Sequence, residues 1–298
     1  MRVLKVPHEV VVPASIANLG PGLDTLGLAV ALYLKVTVTR VMDDGAGRLN
    51  CDFRDGPIGG PNRIQLGFDA IASGRRRPPS LDIAVRSAIP LRGGLGSSAA
   101  ATIAGLRLRQ LVDGTRDGTE ILGAASKIEG HPDNVAAAIC GGVTSCCVRA
   151  DGSIAVSQWP WPARWRVIVA TPHMELATSV ARRALPEKVP LADAIFNVQH
   201  VALLLSALQT GRADDMREAL HDRAHQPYRQ ALVPGLRRLL ALRHPDVIGV
   251  CLSGAGPTVA VFASGNAAKV EHVLRDVYAA EGVACTVRTV KVHREGDA

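Results

Sequence analysis

Aromatic side chains make up only 3% of the 298 residues, and lysine occurs six times, at positions 5, 35, 127, 188, 269 and 291. Nucleic-acid surfaces rely on stacking rings and on striped or clustered basic residues. Here the arginines are scattered, and the one basic cluster, Arg75-Arg-Arg77 before Pro78-Pro79, reads as a solvated loop. The formal charge of +7 therefore points to small anionic ligands, phosphates first among them, and no nucleic-acid partner is expected. No uninterrupted apolar run approaches the ~18 residues of a spanning segment, so no membrane partner is expected either. The start, Met1-Arg-Val-Leu-Lys-Val-Pro7, lacks the form of a secretion signal, which makes the cytoplasm the expected location. None of the cysteines (51, 140, 146, 147, 251 and 285) falls in a Cys-x-x-Cys pair, and buried reduced thiols suit them better than zinc or disulfides. What is left is an ordinary globular composition, 47% apolar, long enough for one large or two ordinary domains.

Glycine, by contrast, is plentiful, and three glycines crowd into Ile89-Pro-Leu-Arg-Gly-Gly-Leu-Gly-Ser-Ser-Ala-Ala-Ala-Thr102. A β-prone run from Leu81 leads in, and an alanine-rich helical run leads out. Gly93, Gly94 and Gly96 permit positive φ and close approach of a ligand. Ser97 and Ser98 stand where the helix would open, offering its unpaired N–H groups and positive dipole end to an anion. Ala99 to Ala101 add no bulk. A Walker loop is excluded, because no lysine follows Gly96. The relaxed dinucleotide fingerprint, Gly94-Leu-Gly96-Ser-Ser-Ala99, requires a later strand ending in an acid about 20 residues on. The chain turns instead through Val112-Asp-Gly-Thr-Arg-Asp-Gly118 into a second helix.

Elsewhere, Val10-Val-Val12 and the alternating run Tyr33 to Thr39 read as strands. Between them, Pro13 to Gly27 is too rich in Gly and Pro for regular structure. Its Asn18 and Asp24 are either turn-formers bonding their own backbone or groups facing a small polar ligand. A helix is expected from Asn62, a natural cap, to Ser73, with Gly74 as its stop. Glu129, His131, Asp133 and Asn134 fall within six residues, with apolar flanks that suit a lined cleft. Strands are expected over Val143 to Arg149, Ile154 to Gln158 and Arg166 to Thr171, with Trp159-Pro-Trp-Pro162 as a stiff linker between domains. Thr178 and Arg182 share one helical face. Ala192 to Thr210 reads as a long apolar helix in which His200 is a packing or surface residue, and helix is expected to continue to about Leu242. A strand, glycine turn and strand over Val247 to Phe262, a helix over Ala267 to Ala280 and a strand over Ala284 to Val292 suit a ferredoxin-like α+β domain.

Five segments carry a resemblance. Pro90-Leu-Arg-Gly-Gly-Leu-Gly-Ser-Ser-Ala-Ala resembles the nucleotide loop of the GHMP small-molecule kinases. Pro13-Ala-Ser-Ile-Ala-Asn-Leu-Gly-Pro-Gly-Leu-Asp-Thr-Leu-Gly27, Glu129-Gly-His-Pro-Asp-Asn-Val-Ala136 and Leu252-Ser-Gly-Ala-Gly-Pro-Thr258 resemble segments of the homoserine kinase branch. His221-Asp-Arg-Ala-His-Gln-Pro-Tyr-Arg229 is similar to another. The resemblance implies a two-domain α+β fold: a ribosomal-protein-S5-domain-2-like nucleotide half, residues 1–160, and a ferredoxin-like half, residues 161–298. It implies ATP and Mg²⁺, transfer of the γ-phosphoryl to the side-chain hydroxyl of L-homoserine, and a homodimer. Pro90, Arg92, Gly93, Gly94, Leu95, Gly96, Ser97, Ser98 and Ala99 would hold the nucleotide, with Asn62 near the base and Gly254 and Gly256 beside the phosphates. Asn18, Asp24, His131, Thr178, Arg182 and Arg229 would hold the amino acid, the arginines on its carboxylate and Asp24 on its ammonium. Ser98 and Glu129 would hold the metal. The base is either Asp133, as in other branches, or Asn134 acting with the phosphate itself. Another hydroxylated acceptor, such as threonine or mevalonate, and a non-catalytic ligand-binding regulator are the alternatives; mevalonate has no ammonium for Asp24.

Overall fold

The computed structural model describes residues 5–55, 61–71, 78–115 and 117–297; the Arg75 to Arg77 cluster and the stop expected at Gly74 lie outside them. Two sheets organise the chain. The first has six strands: β1 (His8–Ala17), β2 (Leu26–Met42), β3 (Leu49–Phe53), β4 (Ser80–Ser87), β5 (Val143–Val148) and β6 (Ile154–Trp159). Their order is β3-β4-β2-β5-β6, with β1 paired to β2. The 17-residue β2 is the spine. Its start pairs with β5, its end with β4, and β1 runs antiparallel along it from His8↔Val38 to Ala17↔Gly27. Helices α1 (Arg63–Ala70), α2 (Ser97–Asp113), α3 (Gly118–Glu129) and α4 (Asp133–Cys140) belong to this half, α2 and α4 lying against β1 and β2.

The second sheet is wholly antiparallel and holds β7 (Arg166–Pro172), β8 (Val247–Leu252), β9 (Val259–Ala263) and β10 (Cys285–Val290) in the order β10-β7-β9-β8. Between β7 and β8 come α5 (Thr178–Arg183), α6 (Leu191–Thr210), α7 (Ala213–Ala219), α8 (Gln226–Arg229) and α9 (Leu236–Leu240), and α10 (Ala267–Ala280) follows β9. The halves are not independent in packing. One apolar cluster joins Val12, Ile16, Leu28 and Ile103 to Val167, Leu204, Leu208 and Phe262. The tail crosses back as well, His293 N–H reaching the Ala29 carbonyl (3.0 Å) and Gly142 N–H the His293 carbonyl (2.7 Å). A smaller core, with Leu252, Val261, Leu274 and Tyr278, belongs to the second sheet alone.

Two expectations are corrected. β1 runs on through Pro13 to Ala17, where irregular chain was expected. Proline is tolerated because β1 has a partner on one side only and the register shifts between Pro13 and Ala14, a bulge that absorbs the missing donor. The helix expected to continue to Leu242 is broken into α8, a 3-10 turn (Gln230–Leu232) and α9, because Pro234-Gly235 interrupts it with Gly235 at φ +72°. Among the described residues, α6 is the one helix long and apolar enough to cross a membrane by length and composition. It is laid against the protein on the face carrying Asn197, His200, Leu204, Ala207 and Leu208.

Candidate active site

The glycine loop is shaped first by its protein neighbours. Gly94 and Gly96 have φ of +81° and +70°. A Cβ on Gly94 would lie 2.6 Å from the carbonyl oxygens of Ser253 and Gly256, and one on Gly96 would collide with Ser15 Oγ and Asn134 Oδ1. The Ser253 hydroxyl donates to the Gly94 carbonyl (2.6 Å), and the Thr258 N–H to the Gly93 carbonyl (3.1 Å). The loop carbonyls are thus tied to the turn between β8 and β9. The amide side is left open. The Ala100 N–H bonds to the Gly96 carbonyl at 2.9 Å, so the amides of Ser97, Ser98 and Ala99 have no partner within the helix and border the cleft.

That cleft collects Asn18, Asp24, Arg92, Gly94, Gly96, Ser97, Ser98, Ala99, Glu129, His131, Asp133, Asn134, Thr178, Arg182, Arg229, Gly254 and Gly256 from both halves. Four of the expected residues stand elsewhere. Pro90, Gly93 and Leu95 line a neighbouring cleft behind the loop, Leu95 being fully buried. Asn62 caps α1, accepting from Ile64 and Gln65 N–H (3.0 and 3.2 Å), and its amide reaches Cys51 Sγ (3.2 Å). Arg92 lies at the cleft, but its guanidinium is turned to Glu175 (2.6 Å).

The segment from Asn18 to Asp24 is strained: Asn18, Leu19, Gly20 and Asp24 all have positive φ, a cost of the order of 1 kcal/mol for each residue that carries a Cβ. Asn18 holds it in place, its Oδ1 accepting the Asp24 N–H (3.1 Å) and its Nδ2 donating to the Gly254 carbonyl (3.1 Å). The turn-forming and cleft-lining readings of Asn18 are therefore both realised. Asp24 is presented to Arg182, which forks onto its two oxygens at 2.9 Å each and closes the cleft from one half to the other. That bond is the main reason the Arg182 guanidinium sits above its ordinary pKa.

Gly27 on β2 leaves room for the start of α4, since a Cβ there would strike the Asp133 carbonyl. Asp133 is consequently buried, 1% exposed. Its Oδ1 accepts the Asn134 N–H (2.7 Å) and lies 2.6 Å from His131 Nδ1; Oδ2 makes no hydrogen bond among the described residues. Burial lowers the His131 pKa, but the Asp133 hydrogen bond and the charges of Asp133, Asp24 and Glu129 outweigh it and hold the imidazole above its ordinary value. Asn134 Oδ1 accepts the Ser15 hydroxyl (2.8 Å). Glu129 Oε1 accepts from Ser98 Oγ (3.0 Å) and Thr102 Oγ1 (2.8 Å), and Arg63 is 3.6 Å away. Two hard oxygens side by side, with one carboxylate oxygen to spare, are a donor set that fits Mg²⁺.

Arg229 is 3% exposed and has no carboxylate in contact among the described residues. It donates to the carbonyls of Ala181 (3.2 Å) and Gly254 (3.0 Å) and lies 3.2 Å from His225 Nδ1. Burial, then the charge of Arg182, push its pKa down. His225 is buried, and burial depresses its pKa below the ordinary value. A neutral ring can donate from Nε2 to the Gly20 carbonyl (2.7 Å) and accept from Arg229 at Nδ1, joining the strained segment to the buried arginine.

Ser15, Thr102 and His225 are the contributors that sequence reasoning passed over. All three lie inside segments that the sequence singles out, Ser15 before Asn18, His225 before Arg229 and Thr102 one helical turn beyond Ser98.

Family profiles described as the GHMP kinases N-terminal domain and the GHMP kinases C-terminal domain match residues 64–142 and 204–280. The homoserine kinase of Solibacter usitatus is 38% identical over 276 residues, covering 91% of this chain and 90% of that one. The homoserine kinase of Moorella thermoacetica is 37% identical over 287 residues, covering 93% and 94%. The chain belongs to the homoserine kinase family of the GHMP kinases. The crystal structure of homoserine kinase from Cytophaga hutchinsonii superposes with a TM-score of 0.85 at 26% identity, covering 99% of this chain and 98% of that one. As a GHMP kinase the chain is an ATP-dependent small-molecule kinase with a two-domain α+β fold.

Proposed function

We propose that the chain is a cytoplasmic, magnesium-dependent homoserine kinase that converts L-homoserine and ATP to O-phospho-L-homoserine and ADP, a step on the route to threonine. The observation that carries the substrate reading is the charge layout of one cleft, in which a carboxylate, Asp24, stands across from two guanidiniums, Arg182 and Arg229. An amino acid's own charges are complementary to that layout. Its ammonium would replace Arg182 on Asp24, and its carboxylate would take Arg182 and the inward face of Arg229. The Asp24–Arg182 pair would then be exchanged for contacts with a ligand class that satisfies both partners, which keeps the exchange of salt bridges close to neutral. Thr178 and Asn18 complete the wall.

The amides of Ser97, Ser98 and Ala99 would receive the phosphates. Mg²⁺, held by Ser98 and Glu129, would neutralise charge on the transferred group. Asp133 Oδ2 would take the proton from the attacking hydroxyl as that oxygen forms its bond to the γ-phosphorus and ADP leaves. His131 holds the other oxygen of Asp133, and Ser15 fixes Asn134 beside it.

We assign the nucleotide half to residues 1–160 and the second half to 161–298, a division supported by the end of β6 at Trp159 and the start of β7 at Arg166. We also infer that two copies associate. The support is an apolar stripe on α6, where Leu191, Ile195 and Val198 are 76%, 49% and 69% exposed at helical spacing.

ADP release measured with homoserine, threonine, serine and mevalonate tests the substrate reading. Homoserine is expected to give the highest kcat/KM and mevalonate none; a preference for mevalonate would overturn it. Asp133→Asn is expected to lower kcat about 10²–10⁴-fold with KM values unchanged, and an unaltered kcat would transfer the base role away from Asp133.

A further inference from the structure

Away from the cleft, three potential metal ligands converge where α6 meets α7 and the residues after it. His200 Nε2 lies 3.3 Å from Glu218 Oε1; His221 Nδ1 lies 3.5 Å from Glu218 Oε2 but only 2.9 Å from the Glu218 carbonyl, to which it donates, so that Nε2 is the His221 nitrogen left to ligate; the two ring centroids are 6.4 Å apart. One ligand atom from each residue can be chosen so that all lie within 4.8 Å of one another. We propose that His200, Glu218 and His221 form a binding site for a zinc-class divalent cation, separate from the magnesium of the phosphate cleft.

The tautomer of His200 is the first argument. Its Nδ1 is 2.7 Å from the Phe196 carbonyl, which can only accept, so the ring proton is committed there. Nε2 is then the nitrogen that faces the Glu218 carboxylate, 3.3 Å away, and a divalent cation bound between the two would stand where a proton otherwise bridges them. A backbone carbonyl that fixes one nitrogen and frees the other is the usual second support of a metal-ligating histidine. Spacing is the second argument. Ligands at about 2.0–2.1 Å from a tetrahedral ion stand about 3.3 Å from each other, the separation seen between His200 and Glu218. Two histidines and one carboxylate form a borderline donor set of the kind zinc takes with its fourth position open, and one that magnesium seldom chooses.

The ring of His200 is further held by stacking on Phe196, with centroids 3.7 Å apart. Two neighbouring cations are engaged elsewhere, Arg223 with Phe196 and Asp193 (3.2 Å) and Arg217 with Asp214 (3.1 Å). The side chains of His221 and Glu218 are about half-exposed, so the ion has a path in. Bound there, it would clip α6 to α7 one residue before Asp222, whose carboxylate accepts from Asn197 and from the N–H groups of Ala224, His225 and Gln226.

The test uses untagged full-length protein stripped with chelator and titrated with Co²⁺, read by its visible absorption, and with Zn²⁺, read by calorimetry. One equivalent per chain is expected, with affinity falling at least about tenfold in His221→Ala and in His200→Gln and unchanged in His131→Ala. Zn²⁺ is expected to raise the melting temperature of the native chain and not that of His221→Ala, whose half-exposed side chain makes it safe to fold. The site is refuted if the native chain binds neither ion, if His221→Ala binds as the native chain does, or if binding is lost in His131→Ala, which would place the ion on Asp24, His131 and Asp133 in the cleft.

Discussion

The two walls of the cleft are built in opposite ways. The wall proposed for phosphate is continuous in the chain: a strand, a glycine loop and the opening of α2 supply all its amides, within ten residues of Pro90. The wall proposed for the amino acid is assembled from the Asn18 to Asp24 segment, the start of α4, α5 and α8, separated by up to 211 positions between Asn18 and Arg229. Local chemistry suffices for the first wall, because positive φ and unpaired amides are properties of a short segment. The second depends on long-range packing, such as His225 reaching the Gly20 carbonyl across 205 positions.

A substitution in the loop should therefore damage both walls, and one in the second wall only its own. Gly96→Ala has the largest expected effect, since it forces a side chain into φ +70° and against Ser15 and Asn134. A loss of about 2–4 kcal/mol in stability and at least a 100-fold fall in kcat/KM for ATP and homoserine alike is expected from chemical denaturation and steady-state rates.

Next come the two arginines, which separate the buried from the exposed part of the second wall. Arg229→Gln should raise KM for homoserine by about 10²-fold or more, because the carboxylate loses a buried guanidinium. Arg182→Gln should raise it only about tenfold, its pair with Asp24 being half-exposed and screened. KM for ATP should stay within about twofold in both. Equal losses, or a shift in the ATP value, would mean that the walls are not separate.

His225→Gln gives a smaller effect and a pH signature. The folded pKa of His225 lies below the ordinary 6.5, so as pH falls through that value the unfolded chain gains a proton and the folded chain does not. Its contribution is present above pH 6.5 and is lost toward acid; His131, with its raised pKa, contributes below 6.5 and loses that contribution as pH rises through its folded value. Denaturation at pH 7.5 and 5.5 should show a smaller acid loss in His225→Gln than in the native chain, and a larger one in His131→Gln. Val198→Glu should leave kcat nearly unchanged while shifting the mass by light scattering from two copies to one.

This contrast also explains what the sequence could tell. The alternation of Tyr33 to Thr39, the helix over Ala267 to Ala280 and the short strand Leu49 to Phe53 are legible because period and propensity are local. The passage of β1 through Pro13 is not, because it depends on which side of the strand lacks a partner. Among the site residues, Arg182 and Arg229 carry no local signal that distinguishes them from surface charges, and only the resemblance singled them out. The bond between Arg182 and Asp24 is legible from neither source: the resemblance gives each to the substrate, whereas in the structure they hold each other.

Phosphorus NMR of the purified chain with Mg²⁺, ATP and L-homoserine is the most direct measurement. Loss of the γ-phosphate signal is expected together with a new phosphomonoester resonance coupled to a methylene, the mark of phosphate on the side-chain oxygen. ATP left intact, or inorganic phosphate alone in place of the ester, would contradict the transfer to homoserine.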